Sequence, residues 1–363
     1  MPTLIYNLTF PEIETLLLSW GEPAYRARQL WQGLYRNFWN TPEEFTTLPG
    51  SVRTRLGDNL LFIALTPVTT LESSNGQTVK TLFKLQDGQA IEAVLMKYGP
   101  PSPLHPSPEI GGGAGGEGKN RCTLCISTQV GCAMGCVFCA TGQMGFKRHL
   151  SSGEIVAQVL YYARQLHEQG EAVTNVVVMG MGEPFHNYDN TMAAIDRLND
   201  PDGYNFGARR FTISTVGLVP AIRRFAAEKR QVNLAISLHA AQDVLRASML
   251  PVDRKYPLDE VLAACREYVA ATSRRITFEW ALVNGVNDTP EQARLLANKL
   301  KELLCHVNAI PLNPTRGYAG QATTRQRAQI FKDTLEQAGV PCTIRLRRGM
   351  DIQAGCGQLV GEV

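Results

Sequence analysis

The stretch CTLCISTQVGCAMGCVFCATG, residues 122–142, carries strand-like text into a loop holding Cys132, Cys136 and Cys139, spaced CxxxCxxC. A 4Fe–4S cluster takes four thiolates, one per iron. A structural zinc site also takes four ligands. The loop offers three. Three readings are therefore open. One is a structural zinc site, completed by Cys122, Cys125 or His149. The second is an electron-transfer cluster completed by a distant cysteine. The third is a cluster kept one protein ligand short, so that a substrate binds the fourth iron, as catalytic zinc keeps a position open.

Working outward, the text from residue 122 alternates between two kinds. TNVVVMG, RRFTIST, VNLAISLH, RITFEWALV, HVNAIPLN and PCTIRLR follow CTLCIS as strand candidates. Between them stand helical segments such as GEIVAQVLYYARQLHEQ, PLDEVLAACREYVAAT and TTRQRAQIFKDTLEQAG. Six or more strand–helix repeats predict an α/β fold of parallel strands with right-handed crossovers. Its natural closure is a partial (βα)6 barrel of TIM type, with chemistry at the C-terminal ends of its strands. Those ends are decorated with Gly180, Gly182 and Glu183 in GMGEP, Ser214 in STVG, Ser237 and His239 in SLHA, and Asn313 in PLNP. Each alone reads as a turn or a satisfied polar group. On one rim they read as a site.

The N-terminal 62 residues read as a helical accessory domain. Within it, PAYRARQLWQGLYRNFW interleaves Arg26, Arg28 and Arg36 with Tyr25, Trp31 and Tyr35, and TPEEFTTLP offers a helix start with Thr41 as N-cap. Residues 63–99 hold β-branched runs broken at SNGQ and QDGQ, which predicts a small antiparallel extension. Residues 100–120 are Pro-rich and then Gly-rich, the composition of a flexible surface loop. The barrel is expected over 121–349, followed by a tail over 350–363.

Charge and cysteine usage bound the function. A net charge of +3 does not announce nucleic-acid binding, although clusters such as TIRLRRG could. MPTLIYNLTF lacks the form of a signal peptide, and no apolar run approaches a membrane span, so a cytoplasmic protein is expected. Of nine cysteines, five lie between Cys122 and Cys139, the usage of metal binding or catalysis rather than a disulfide framework. Cys265, Cys305 and Cys342 fall in apolar text and read as core. Alternation along the strand is taken to put Cys122 and Cys125 on the same face.

CxxxCxxC after the first barrel strand resembles the radical-SAM superfamily. The motifs LCISTQVGCAMGCVFCATGQMGFKRHLSSGEI, VVMGMGEP, TISTVG, AISLHA, IPLNP and GCGQL further resemble, in this order, the RlmN/Cfr family of RNA adenosine methyltransferases. The resemblance implies that Cys132, Cys136 and Cys139 hold a 4Fe–4S cluster whose open iron binds S-adenosylmethionine. It implies that Gly182 and Glu183 contact the methionine end, and that Ser214, Ser237, Leu238, His239 and Asn313 complete that pocket. Cys356, in GCGQL, matches the cysteine that the family methylates. Cys125 matches the second catalytic cysteine and Glu92, in AIEAV, the proton acceptor. Two molecules of S-adenosylmethionine would be used per turnover: one methylates Cys356, the other yields the radical that activates the S-methyl group toward adenine. The implied substrates are 23S ribosomal RNA at the peptidyl-transferase centre and tRNA at the adenosine after the anticodon, methylated at carbon 2. An electron donor of the flavodoxin or ferredoxin kind and a monomeric, membrane-free enzyme complete the expectation. Two alternatives stand: a Cfr-like methylation at carbon 8, and a non-enzymatic iron–sulfur or RNA-binding module.

Overall fold

The computed structural model describes residues 3–99 and 121–361; the Pro/Gly-rich stretch at 100–120 lies outside the described residues. Ten strands form one sheet: β1 (Leu65–Glu72), β2 (Thr78–Leu85), β3 (Ala90–Tyr98), β4 (Arg121–Cys125), β5 (Asn175–Val178), β6 (Phe211–Thr215), β7 (Asn233–Ser237), β8 (Ile276–Leu282), β9 (Cys305–Pro311) and β10 (Cys342–Ile344). Their order across the sheet is their order along the chain. The strands β1 to β4 pair antiparallel, and β4 to β10 pair parallel. The β extension is thus continuous with the parallel sheet rather than attached beside it.

Six helices follow β4 to β9 in turn: Ser152–Glu168, Tyr188–Asn199, Val219–Glu228, Leu258–Thr272, Pro290–Leu300 and Arg325–Gln337. The helix Asp243–Met249, after β7, had no counterpart in the sequence reading. Strand alternation sorts the side chains between two faces. Leu124, Val176, Ile213, Leu234, Phe278 and Val307 pack into the helix-covered core. Thr123, Val177, Thr212, Glu279 and Asn308 turn the other way and border a cavity. Residues of β4 and β9, with four strands between them, border that same cavity, so the sheet curls into an incomplete barrel.

Before the sheet lie helices Phe10–Ser19, Tyr25–Tyr35 and Gly50–Asn59. Thr9 and Glu12 form a capping box at the first of these, with Glu12 accepting the Thr9 N–H at 2.7 Å. The helix start at Thr41 is only a short 3-10 turn, Pro42–Glu44, although Thr41 and Glu44 form its capping box. Glu44 accepts the Thr41 N–H at 3.1 Å, and its other oxygen lies 2.6 Å from the Arg164 guanidinium on a barrel helix. Arg197 makes a similar tie from the barrel to the carbonyls of Tyr6 and Asn7.

The basic, aromatic helix is more committed than its text implies. Trp31 and Tyr35 are buried and packed on each other, Trp31 also on Phe10 and Tyr35 on Tyr6. Arg26 pairs with Glu22 at 2.6 Å, and Arg36 donates to the carbonyls of Pro201 and Gly203. Tyr25 and Arg28 remain exposed. Helical spacing put the aromatics in the core, so stacking by Trp31 or Tyr35 on RNA bases is not available. Trp31→Ala should therefore cost about 3–5 kcal/mol in urea denaturation, whereas Tyr25→Ala should shift stability by no more than about 0.5 kcal/mol.

Candidate active site

The cysteine loop is held by backbone contacts on three sides. A short strand, Gln129–Gly131, pairs antiparallel with Phe146–His149. The Cys132 N–H then donates to the Gly145 carbonyl at 3.0 Å, and the Val137 N–H to the Met249 carbonyl at 3.1 Å. Cys139 caps a one-turn helix, Ala140–Gln143, whose Ala140 N–H donates to Gly357 O at 2.7 Å. The loop is thereby tied to the C-terminal tail.

Two adjoining chambers fill the barrel, each about 170 Å³. The first, at the C-terminal ends of the strands, is bordered by Cys132, Cys136, Cys139, Gly182, Glu183, Ser214, Ser237, His239 and Asn313. The second runs deeper, past Cys125, to a mouth of Tyr98, Arg121, Arg345, Leu346, Arg347 and Arg348. Cys356, Cys139, Asn313 and Glu279 border both. Cys356 has accessible surface, but that surface faces the chambers; protein surrounds the thiol, and burial, with help from Glu279, raises its pKa.

Three anticipated residues lie elsewhere. The Leu238 side chain is fully buried in the core and borders neither chamber. Glu92 borders neither chamber; it is buried beside Lys80. Cys122 is buried on the helix side of β4 while Cys125 faces the second chamber. Residues three apart on a strand fall on opposite faces, which corrects the same-face expectation.

Several side chains are tuned by their surroundings. Glu183 is buried, which pushes its carboxyl up to about 7, while the N–H groups of Val216 and Phe185 donate to it. His239 is neutral: burial, with the Arg246 charge behind it, lowers its pKa to about 3. Its Nδ1 accepts the Ala281 N–H at 2.9 Å, leaving an Nε2–H donor. The Ser214 and Ser237 hydroxyls are 3.3 Å apart. Asn313 donates to the Cys356 carbonyl at 3.0 Å, and its Oδ1 is buried without a partner.

Residues the sequence reading passed over hold this rim together. Gln129 Oε1 accepts the Glu183 N–H at 2.8 Å, and its amide nitrogen lies 3.0 Å from Nδ1 of both His149 and His186. All its polar atoms are used, so the amide has one orientation. Gly182 has φ +101°, and a Cβ there would come within 2.5 Å of Gln129. Only glycine lets the chain pass so close. Arg246 is wholly buried and binds Asp253 at 2.6 Å and the carbonyls of Val216 and Leu238 at 2.6 and 3.2 Å. It links the loops after β6 and β7. Glu279, read as plain strand text, accepts from Asn308 at 3.0 Å. Gln129, Arg246 and Glu279 each bond a partner on another strand or loop: Glu183, Val216 and Asn308.

The donor set suits an iron–sulfur cluster better than a single ion. Among the described residues no group of three or more His, Cys, Asp or Glu converges to hold one metal. Three thiols nonetheless border one cavity, and a cluster needs one per iron rather than a common point. Unspent donors and acceptors at His239 and Asn313 suit a polar cosubstrate beside it.

The radical SAM superfamily model matches residues 126–297. A dual-specificity RNA methyltransferase RlmN of Myxococcus xanthus is 47% identical, with 99% of this chain and 94% of the relative covered. The chain belongs to the RlmN family. A probable RlmN of Chloroflexus aurantiacus is 46% identical over 99% of this chain and 93% of its own length. A crystal structure of a radical SAM methyltransferase from Sphaerobacter thermophilus superposes with a TM-score of 0.92, at 48% identity, covering 99% of this chain and all of that one. The RlmN relationship makes the protein an enzyme, a radical-SAM methyltransferase, and implies an iron–sulfur cluster and S-adenosylmethionine.

Gln129→Leu leaves the buried Glu183 N–H unsatisfied. It should weaken S-adenosylmethionine binding by roughly tenfold or more without changing iron content, measured by equilibrium binding on reconstituted enzyme. Unchanged affinity would show that the Glu183 loop keeps its shape without Gln129.

Proposed function

We propose that this enzyme methylates carbon 2 of adenosine in 23S ribosomal RNA at the peptidyl-transferase centre, and in tRNA at the position after the anticodon. Cys356 is the methyl carrier and Cys125 the resolving thiol. The reading rests on one observation: Cys356 borders both chambers, the one shared with Cys132, Cys136 and Cys139 and the one shared with Cys125.

Carbon 2 of adenine is electron-poor and has no lone pair, so it is a poor nucleophile toward a methyl sulfonium. A thiolate is a good one. When bound, the three-cysteine cluster and S-adenosylmethionine would supply a 5′-deoxyadenosyl radical by one-electron cleavage of the sulfonium. The chain supplies the rest. Cys356 Sγ takes a methyl from a first S-adenosylmethionine and presents it toward the second chamber. The radical would take one hydrogen atom from that S-methyl group, and the carbon radical left on Cys356 adds to carbon 2 of adenine. The adduct sheds one electron, which would return to the bound cluster, and the ring proton, which goes to a base. Cys125, as its thiolate, then attacks Cys356 Sγ. The sulfur–carbon bond breaks with its electron pair left on carbon, which takes up a proton to complete the methyl group, and a Cys125–Cys356 disulfide remains. Two electrons and two protons from a thiol reductant restore the pair. A flavodoxin- or ferredoxin-type donor would supply the electron that the bound cluster needs. Two S-adenosylmethionine molecules are consumed per turnover.

The arginine mouth supports an RNA substrate. Arg348 lies 4.2 Å over the Tyr98 ring and Arg121 5.2 Å from the same ring. Leu346 is 77% exposed beside them. Cations with a flat aromatic and an apolar tip suit phosphates and a splayed base. Among the described residues no helix is long and apolar enough to cross a membrane. The proposed enzyme acts on RNA in the cytoplasm as a monomer. Carbon 2 is preferred to carbon 8 because the relatives carry the RlmN name.

Reconstituted enzyme with methyl-labelled S-adenosylmethionine and an RNA fragment should give 2-methyladenosine by nucleoside mass spectrometry. Finding 8-methyladenosine would move the reaction to carbon 8, and finding neither would end the proposal. Cys356→Ala should abolish product with the cluster intact. Cys125→Ala should accumulate a covalent protein–RNA adduct; free turnover by that variant would remove Cys125 from the reaction. Arg348→Ala should weaken RNA binding and lower its salt slope by about one, read by titrating affinity against ionic strength.

A further inference from the structure

Glu92 is matched by family resemblance to a proton acceptor, yet its carboxylate is already committed. One oxygen lies 2.9 Å from Lys80 Nζ. The other accepts the N–H groups of Val360 at 2.8 Å and Gly361 at 3.4 Å. Lys80 Nζ in turn donates to the Gln353 carbonyl at 3.3 Å. The two side chains are 8% and 3% exposed. They sit diagonally on one face of β2 and β3, where Lys80 opposes Val94 and Leu82 opposes Glu92.

The tail these groups grip carries Cys356 between the gripped points, Gln353 before it and Val360 after it. Residues 350–361 form no helix or strand, so their main-chain groups need partners from elsewhere. A Cβ on Gly361 would come within 2.7 Å of the Ala90 carbonyl, so the tail lies directly on β3. A buried ion pair is a weak source of stability by itself. This one spends its remaining hydrogen-bonding capacity on tail backbone, and charge-assisted bonds of this kind are the stronger ones.

We propose that the Lys80–Glu92 pair is a clamp that positions the Cys356 loop, holding the thiol at the wall between the two chambers. Lys80 and Glu92 are positioning residues that act on the reaction through the tail. The inference rests on the proposed role of Cys356, and the test separates the two.

Full-length Lys80→Gln and Glu92→Gln are reconstituted and compared with wild type. Hydrogen exchange of the tail amides is followed, together with S-methyl occupancy of Cys356 after incubation with labelled S-adenosylmethionine. Both variants should exchange the Val360 and Gly361 amides about tenfold faster and carry about tenfold less methyl on Cys356, at unchanged iron content. Val360→Pro deletes one donor without touching the buried pair and should act in the same direction, which keeps the test open if a pair variant misfolds. The clamp is overturned if Lys80→Gln changes neither readout while Glu92→Gln methylates Cys356 normally and stalls as a protein–RNA adduct; Glu92 is then the proton acceptor. Faster exchange with undiminished methylation overturns the positioning role. Wild-type enzyme that never methylates Cys356 overturns the carrier reading instead, whatever the exchange data show.

Discussion

A sheet whose spatial order repeats its chain order leaves β4 and β10 on opposite sides of an unclosed barrel, and the chain after β10 must cross that opening. Everything at the centre depends on how this crossing is held. Arg348 reaches Gln77, the Ser74 N–H reaches Asp351, and Lys80 and Glu92 grip the tail on either side of Cys356. From the opposite side, Thr141 donates to the Leu359 carbonyl at 2.6 Å, Gln358 to the Pro314 carbonyl at 2.9 Å, and Asn313 to Cys356 O. Each bond is worth about 1 kcal/mol net. Their effect is geometric: a segment without regular structure is fixed between the cysteine loop and the hairpin, and it becomes part of the wall of both chambers.

That fixation bears on the carrier role proposed for Cys356. The glycines around Cys356 suggest a mobile tail that swings between two positions. A thiol bordering both chambers needs no swing, because the two reactants can approach it from two sides. The glycines serve the fixed geometry instead: a Cβ at Gly355 would meet the Asn313 amide at 2.6 Å, and Gly357 takes a φ of +82°. The antiparallel extension then has a structural reason. It supplies the far bank against which the returning tail is secured, which explains its continuity with the barrel sheet.

What the sequence made legible was whatever is encoded locally. Strand and helix periods from residue 122 onward, the hairpin signals and the CxxxCxxC loop are all short-range patterns, and the parallel sheet with its decorated rim follows them. Gln129, Arg246, Glu279 and Lys80 were not legible, because each acts on a partner that only the fold brings near. Gln129 reads as strand text until Glu183 is beside it. Trp31 and Tyr35 mark a related limit: the same helical spacing that suggests a stacking face also describes a buried one, and only their packing on Phe10 and Tyr6 decides between them. Cys122 shows a simpler limit, since its separation of three from Cys125 already forbids a shared face in a regular strand.

The protonation states fit a site at rest. Burial lifts the Cys125 thiol well above its ordinary range and raises Cys356 too. At neutral pH both are then overwhelmingly thiols, and thiols exchange slowly. In the proposed reaction Cys125 attacks the Cys356 sulfur, and two protonated thiols sharing a chamber do not begin it. Reaction at Cys125 requires a proton acceptor in the chamber and an electrophilic sulfur at Cys356, and Glu279 is the carboxylate that borders both chambers. Its own burial raises its pKa as well, with the Asn308 amide opposing that shift. The interior is thus kept poor in charge until a charged reactant enters, and the arginines at the mouth of the second chamber are where the charge of an RNA backbone would first be met.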